Sequence, residues 1–211
     1  MKGLVAMLLL LLAFNTAANE AGAARRQLDE FAHGLSSLQL DFTQTVKSQD
    51  GSVQDETSGR AWLQKPDRMR WVYEGDFPET IVATGRNVWI YDEDLQQVTV
   101  KPQSDQVSDA PLLILTDVSK LDEQFAVTEM GDDEGLDLLE LKSRDPDSEF
   151  SRVLMGLDSS GIHMMVMEDA FGQRTEMHFR NVIRNAPLDS KLFAFKPPKG
   201  VDQVGEPVPE K

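Results

Sequence analysis

From Leu38 to Lys47 the side chains alternate, with Leu38, Leu40, Phe42 and Val46 on one side and Gln39, Asp41, Thr43, Thr45 and Lys47 on the other. A period of two over ten residues predicts a half-buried strand. Just before it the period differs. Leu28, Phe31, Ala32 and Leu35 fall at i, i+3, i+4 and i+7, which predicts an amphipathic helix ending near Gly34 and Ser36. Further strand patterns follow near 53–63, 68–74, 79–84, 87–92, 97–101, 125–130, 136–143, 151–157, 162–169 and 174–185. Between them lies turn chemistry such as "KPD", "TGRN", "GDDEG", "DSSG" and "EDAFGQ". Eleven strands joined mostly by short turns predict a large antiparallel meander in one domain.

One stretch departs from this rhythm. "SDAPLLILTDVSKL" offers Ser108 or Asp109 as a cap and Pro111 near a first helical turn, then Leu112, Leu113, Ile114, Leu115, Val118 and Leu121. A short helix this apolar has to cover something. It falls between six strands and five.

Several strands are apolar on both sides. Val88 and Ile90 oppose Trp89 and Tyr91, and Ile162, Met164 and Val166 oppose Met165 and Met167. A long sheet with so few helices either closes around its own side chains or leaves an apolar hollow. Met69, Met130, Met155, Met164, Met165, Met167 and Met177 all fall in strand patterns, and flexible, polarizable methionines suit a surface that takes varied apolar shapes. They also serve as gap-fillers in ordinary cores.

Charge and composition narrow the function classes. The 211 residues carry a formal net charge of -15, which disfavours nucleic acid as a partner. Lys2, the apolar run over 4–14 and the small residues Thr16, Ala17 and Ala18 predict a cleaved signal peptide over 1–18, with cleavage after Ala23 as the alternative. The run is too short for a spanning helix. The remainder, 19–211, is expected to form a single domain. With no cysteine the chain has no disulfide, thiolate metal site or cysteine lipid anchor. His33, His163 and His178 have no metal-ligand spacing, and no nucleophile elbow or phosphate loop occurs. No catalytic residue, metal or cofactor is therefore expected.

Five pieces in order carry a resemblance: "DFTQTV" at 41–46, "WLQKPDRMRWVYE" at 62–74, "GRNVWIYDED" at 85–94, "APLLIL" at 110–115 and "LFAFKPPKGV" at 192–201. Over nearly the whole chain after the signal, the sequence resembles the LolA family of periplasmic outer-membrane lipoprotein carriers. The resemblance implies a mainly β fold, an open eleven-stranded antiparallel half-barrel. An N-terminal helix and lid helices would cover its apolar cavity, and 192–201 would supply the closing strand. It implies a periplasmic chaperone, not an enzyme, acting as a monomer. Its partners would be acylated lipoproteins as cargo, an inner-membrane ABC transporter as donor and an outer-membrane acceptor.

Within that fold Leu40, Phe42, Trp62, Met69, Trp71, Tyr73, Trp89, Tyr91, Met155, Met164, Val166, Met177 and Phe179 are expected to line the acyl cavity. Leu112, Leu113, Ile114, Leu115 and Val118 would form the lid, and Arg68 and Arg70 would face outward. Lys65 stands where the family typically has an arginine that latches the lid; a lysine keeps three donors but lacks the planar fork. The alternative reading is a lipoprotein or lipid sensor that regulates a membrane partner. Such sensors add a second domain, for which this chain has no room.

Overall fold

Leu28, Phe31 and Ala32 form the buried stripe of α1 (Ala23–Ala32), as their helical spacing predicts. The computed structural model describes residues 22–103 and 118–209. The first turn of α1 is capped from a distance: the Glu129 carboxylate accepts from the Ala24 and Arg25 amides at 3.2 and 2.9 Å. An anion there offsets the positive end of the helix dipole. At the other end the Arg184 guanidinium donates to the His33 carbonyl at 2.9 Å and lies 5.2 Å over the Phe31 ring. Gly161, at φ 130°, is where Phe31 enters the sheet: an added Cβ would sit 2.5 Å from the ring.

The strands are β1 (Ser37–Lys47), β2 (Val53–Gln64), β3 (Arg68–Glu74), β4 (Glu79–Thr84), β5 (Asn87–Asp92), β6 (Gln97–Pro102), β7 (Phe125–Asp133), β8 (Leu136–Ser143), β9 (Phe150–Asp158), β10 (Gly161–Asp169), β11 (Arg174–Arg184) and β12 (Asp202–Val204). They form one sheet in the order β12-β6-β5-β4-β3-β2-β1-β11-β10-β9-β8-β7. Two meanders, β1–β6 and β7–β11, meet where β1 pairs antiparallel with β11. The sheet is open, since among the described residues its two edge strands, β7 and β12, do not pair with one another. β7 carries Glu129, Asp132 and Asp133, charges that discourage another chain from adding to that edge. A 3₁₀ turn (Val118–Lys120) leads into α2 (Leu121–Gln124), and Leu121 is buried in the core.

Two features differ from expectation. The strand count is twelve, because β12 pairs parallel with β6. Residues 192–201 do not supply that closing strand: Leu192 and Phe193 lie in a 3₁₀ turn (Ser190–Phe193), and the strand begins at Asp202. Three residues bracketed by glycines and prolines carry no readable alternation.

The C-terminal segment lies along the face opposite α1. Phe193 is buried, and Phe195 and Val201 pack on Val82, Trp89, Val98 and Val100. Beyond β12 the tail is held by Asn87, fully buried, whose Nδ2 donates to the Val208 carbonyl at 2.8 Å while its Oδ1 accepts from the Val208 amide at 2.7 Å. Asn87→Ala removes both bonds, worth about 1 kcal/mol each. Hydrogen exchange is expected to quicken at the amides of β6 and β12, while α1 keeps its protection.

Candidate functional site

On the face that bears α1, cross-strand pairing sets side chains in rows. The first row is Leu38, Leu63, Met69, Ala83 and Val88, all buried. The second is Leu40, Ala61, Trp71, Ile81 and Ile90. In the third, Phe42 faces Gly59 and then Tyr73, Glu79 and Asp92, so the apolar row turns polar. A fourth row runs from Thr57 through Gln44 to Met177, Met165, Met155 and Leu139, three methionines side by side on β11, β10 and β9. With Leu28, Phe31 and Leu121 these side chains make one continuous apolar cluster from β5 to β8. At roughly 1.5–3 kcal/mol for each large side chain buried, this face dominates the stabilisation of the fold.

At its centre is an aromatic group. Phe42 and Trp71 lie 4.3 Å apart between ring centroids, and Tyr73 meets Phe42 edge-on at 5.3 Å. The ring of Phe42 rests on Gly59, where a Cβ would come within 2.7 Å of Cζ and 1.9 Å of the Val72 carbonyl oxygen. The Tyr73 hydroxyl donates to Gln44 Oε1 at 3.2 Å. Burial, reinforced by the nearby Glu79 charge, pushes the Tyr73 phenol up to about 12. The indole N–H of Trp71 is near enough to oppose that rise, yet it falls short of hydrogen-bond geometry. Burial and the neighbouring Asp92 raise Glu79 as well.

Of the residues expected to line the cavity, Leu40, Phe42, Met69, Trp71, Tyr73, Met155, Met177 and Phe179 lie on this face, and Val118 packs against the same cluster. Five do not. Trp62 pairs with Gln39 and Arg70 on the opposite face, with the Arg60 guanidinium 5.6 Å over its ring. Trp89 and Tyr91 also lie on that face, against Phe195 at 5.4 and 6.2 Å. Met164 and Val166 are turned away by a bulge at His163: Ile162 pairs with Leu157 but Met164 with Gly156, so beyond the bulge Met165 and Met167 join the cluster. His163 is held there, its Nε2 2.9 Å from an Asp158 oxygen.

Met165, Met167, Leu139, Leu141 and Leu157 are members of the face that alternation alone missed. Nothing in the alternation of β10 marks Met165 and Met167 as members, because the bulge at His163 carries no sequence signal. Leu112, Leu113, Ile114 and Leu115 lie outside the described residues. Lys65 follows the end of β2, and its backbone N–H donates to the Ser36 carbonyl at 2.9 Å. Arg68 and Arg70 face away from the cluster as expected. Arg70 is half-buried under the C-terminal segment and reaches the Leu192 carbonyl at 3.4 Å; the loss of water lowers its pKa.

A family model described as outer membrane lipoprotein carrier protein LolA matches residues 33–196. An outer-membrane lipoprotein carrier protein of Xanthomonas campestris pv. campestris (strain B100) is 38% identical over 185 residues, covering 87% of this chain and 88% of its own. A protein of the same name from Methylococcus capsulatus is 35% identical over 192 residues, or 91% of this chain and 92% of its own. Among solved structures, an uncharacterized conserved protein from Thermus thermophilus has a TM-score of 0.54 at 17% identity, over 86% of this chain and 98% of that one. That last likeness is one of fold. The open sheet, its ordered motifs and these two relatives agree: the chain belongs to the outer membrane lipoprotein carrier protein LolA family.

Proposed function

We propose that the protein is a periplasmic carrier without catalytic chemistry. It takes acylated lipoproteins from an inner-membrane ABC transporter, hides their acyl chains against the α1-bearing face and gives them up to an outer-membrane acceptor. The observation that carries this reading is the continuous apolar face from β5 to β8, with its row of Met155, Met165 and Met177. Relatives that share most of the chain bear the name of lipoprotein carriers. Among the described residues no helix is long and apolar enough to cross a membrane.

Energetics make such a shelter necessary. At about 0.8 kcal/mol for each methylene, three chains of roughly 15 carbons represent on the order of 30 kcal/mol of exposure to water. Uncovered chains would remain in the membrane. A carrier has to cover them with contacts that an acceptor can replace, and methionine thioethers make contacts of that kind.

In this reading Val118, which packs against the apolar cluster, borders the sheltered face. Lys65, at the turn between β2 and β3, is the latch. Depletion of the protein is expected to strand lipoproteins at the inner membrane, measured by fractionating the two membranes. Normal sorting after depletion, accompanied only by an altered envelope stress response, would instead mark a sensor. Mass spectrometry of the protein purified from periplasm is expected to find bound acylated polypeptides.

A further inference from the structure

The rows of the α1-bearing face differ in polarity along the strands of β1–β5. At one end Leu38, Leu63, Met69 and Ala83 are at most 3% exposed. At the other, Gln44 and Thr57 sit half-buried beside the exposed Asp55, with Glu79 and Asp92 across the strands. Two hydrogen-bonding groups on this face lack partners among the described residues: the indole N–H of Trp71, a residue only 6% exposed in a row between these ends, and the hydroxyl of Thr57 at the polar end. A buried donor left unmade costs about 1–3 kcal/mol, so two on one face are expensive unless something supplies acceptors. The Tyr73 hydroxyl, bonded to Gln44, lies between them in the neighbouring row.

We propose that Trp71 Nε1 and Thr57 Oγ1 donate to the carbonyl oxygens through which the acyl chains are attached to the cargo. Donation there fixes the chains with their methyl ends toward Leu38 and Met69 and their head toward Gln44 and Thr57. This inference rests on the carrier reading and adds direction and chemistry to it. An apolar face alone binds hydrocarbon in any orientation. Two fixed donors at the boundary between apolar and polar rows select a chain that ends in an ester or amide carbonyl. The polypeptide then leaves past Asp55, Glu79 and Asp92. Trp71 and Thr57 are thus orienting residues, distinct from the leucines and methionines that supply contact area.

The test compares two synthetic lipopeptides of the same peptide and chain length, one with two ester-linked palmitoyl chains and one with the same chains joined through ethers, which lack the carbonyl. Affinity is read by displacement of a fluorescent lipopeptide. The wild-type protein is expected to favour the ester by several-fold, as one or two net hydrogen bonds imply. Trp71→Phe and Thr57→Val are each expected to bring the ester-to-ether ratio toward one, whatever they do to both affinities together. Thr57→Val keeps the side-chain volume, so it reports even if Trp71→Phe loosens the core. An unchanged ratio in both variants, or a wild-type ratio of one, overturns the proposal. Wild-type protein that binds neither lipopeptide overturns the carrier reading itself, a result distinguishable from the first two.

Discussion

Gly59→Ala is expected to lower the unfolding temperature by about 10 °C or more, measured by circular dichroism or calorimetry. The added methyl has nowhere to go. It would lie 1.9 Å from the Val72 carbonyl oxygen across the β2–β3 pair and 2.7 Å from Phe42 Cζ, so strand pairing and the aromatic group are disturbed together. Overpacking usually costs about 1–3 kcal/mol when side chains can yield. Here a backbone atom must move, and about 4 kcal/mol is the expected scale, a large part of the roughly 5–15 kcal/mol typical of a whole domain. A second substitution separates the two contacts. Phe42→Leu added to Gly59→Ala relieves the ring but not the carbonyl, so it is expected to recover only a small part of the loss; full recovery would show that the ring alone sets the requirement for glycine.

Arg152→Met is expected to destabilise the protein by about 2–3 kcal/mol, and replacing Glu140 by methionine in the same chain is expected to return most of that. Glu140 is buried on the outer side of β8, only 8% of its side chain exposed, and accepts from Arg152 Nε at 2.6 Å and Lys142 Nζ at 3.0 Å. Removing the guanidinium leaves a buried carboxylate with one exposed lysine. Removing both charges leaves two apolar side chains beside Leu154, which pairs with Glu140 in register.

The pH dependence has a definite sign. The hydrogen bond from Arg152 holds the Glu140 carboxyl below its ordinary range despite burial, with Lys142 helping. Its unfolded pKa is near about 4.3, so the ion pair stabilises fully above that value, and the stabilisation is lost as pH falls through the lower folded pKa. Wild-type stability measured by urea unfolding is expected to fall through this acidic window more steeply than that of Glu140→Gln. Equal slopes would remove Glu140 from the acid response.

The strands were legible because most obey a period of two and are separated by glycine, proline or acidic turns. Met69, Trp71 and Tyr73 could be assigned to one face from that period alone, and the structure places them there. Trp89 and Tyr91 could not, because β5 is apolar on both sides and the side chains that cover its second face, Phe195 and Val201, come from a distant segment. Trp62 misleads for a different reason: an indole on a polar face is covered by the Arg60 guanidinium rather than by a core. Met164 and Val166 were misread because one extra residue at His163 reverses the alternation, and nothing in "GIHMMVM" distinguishes a bulged strand from a regular one. The eleven strands of the two meanders were therefore readable, whereas the face each side chain takes depended on a bulge and on contacts far along the chain.

The parallel pairing of β12 with β6 also bears on the order in which the molecule becomes complete. A ribosome makes the edge strand long before it makes the residues that seal it, so a nascent or prematurely terminated chain presents Gln97–Pro102 with open backbone groups. A nonsense mutation just after Val201 would leave both meanders intact yet expose a ready template for self-association, a defect of solubility rather than of folding.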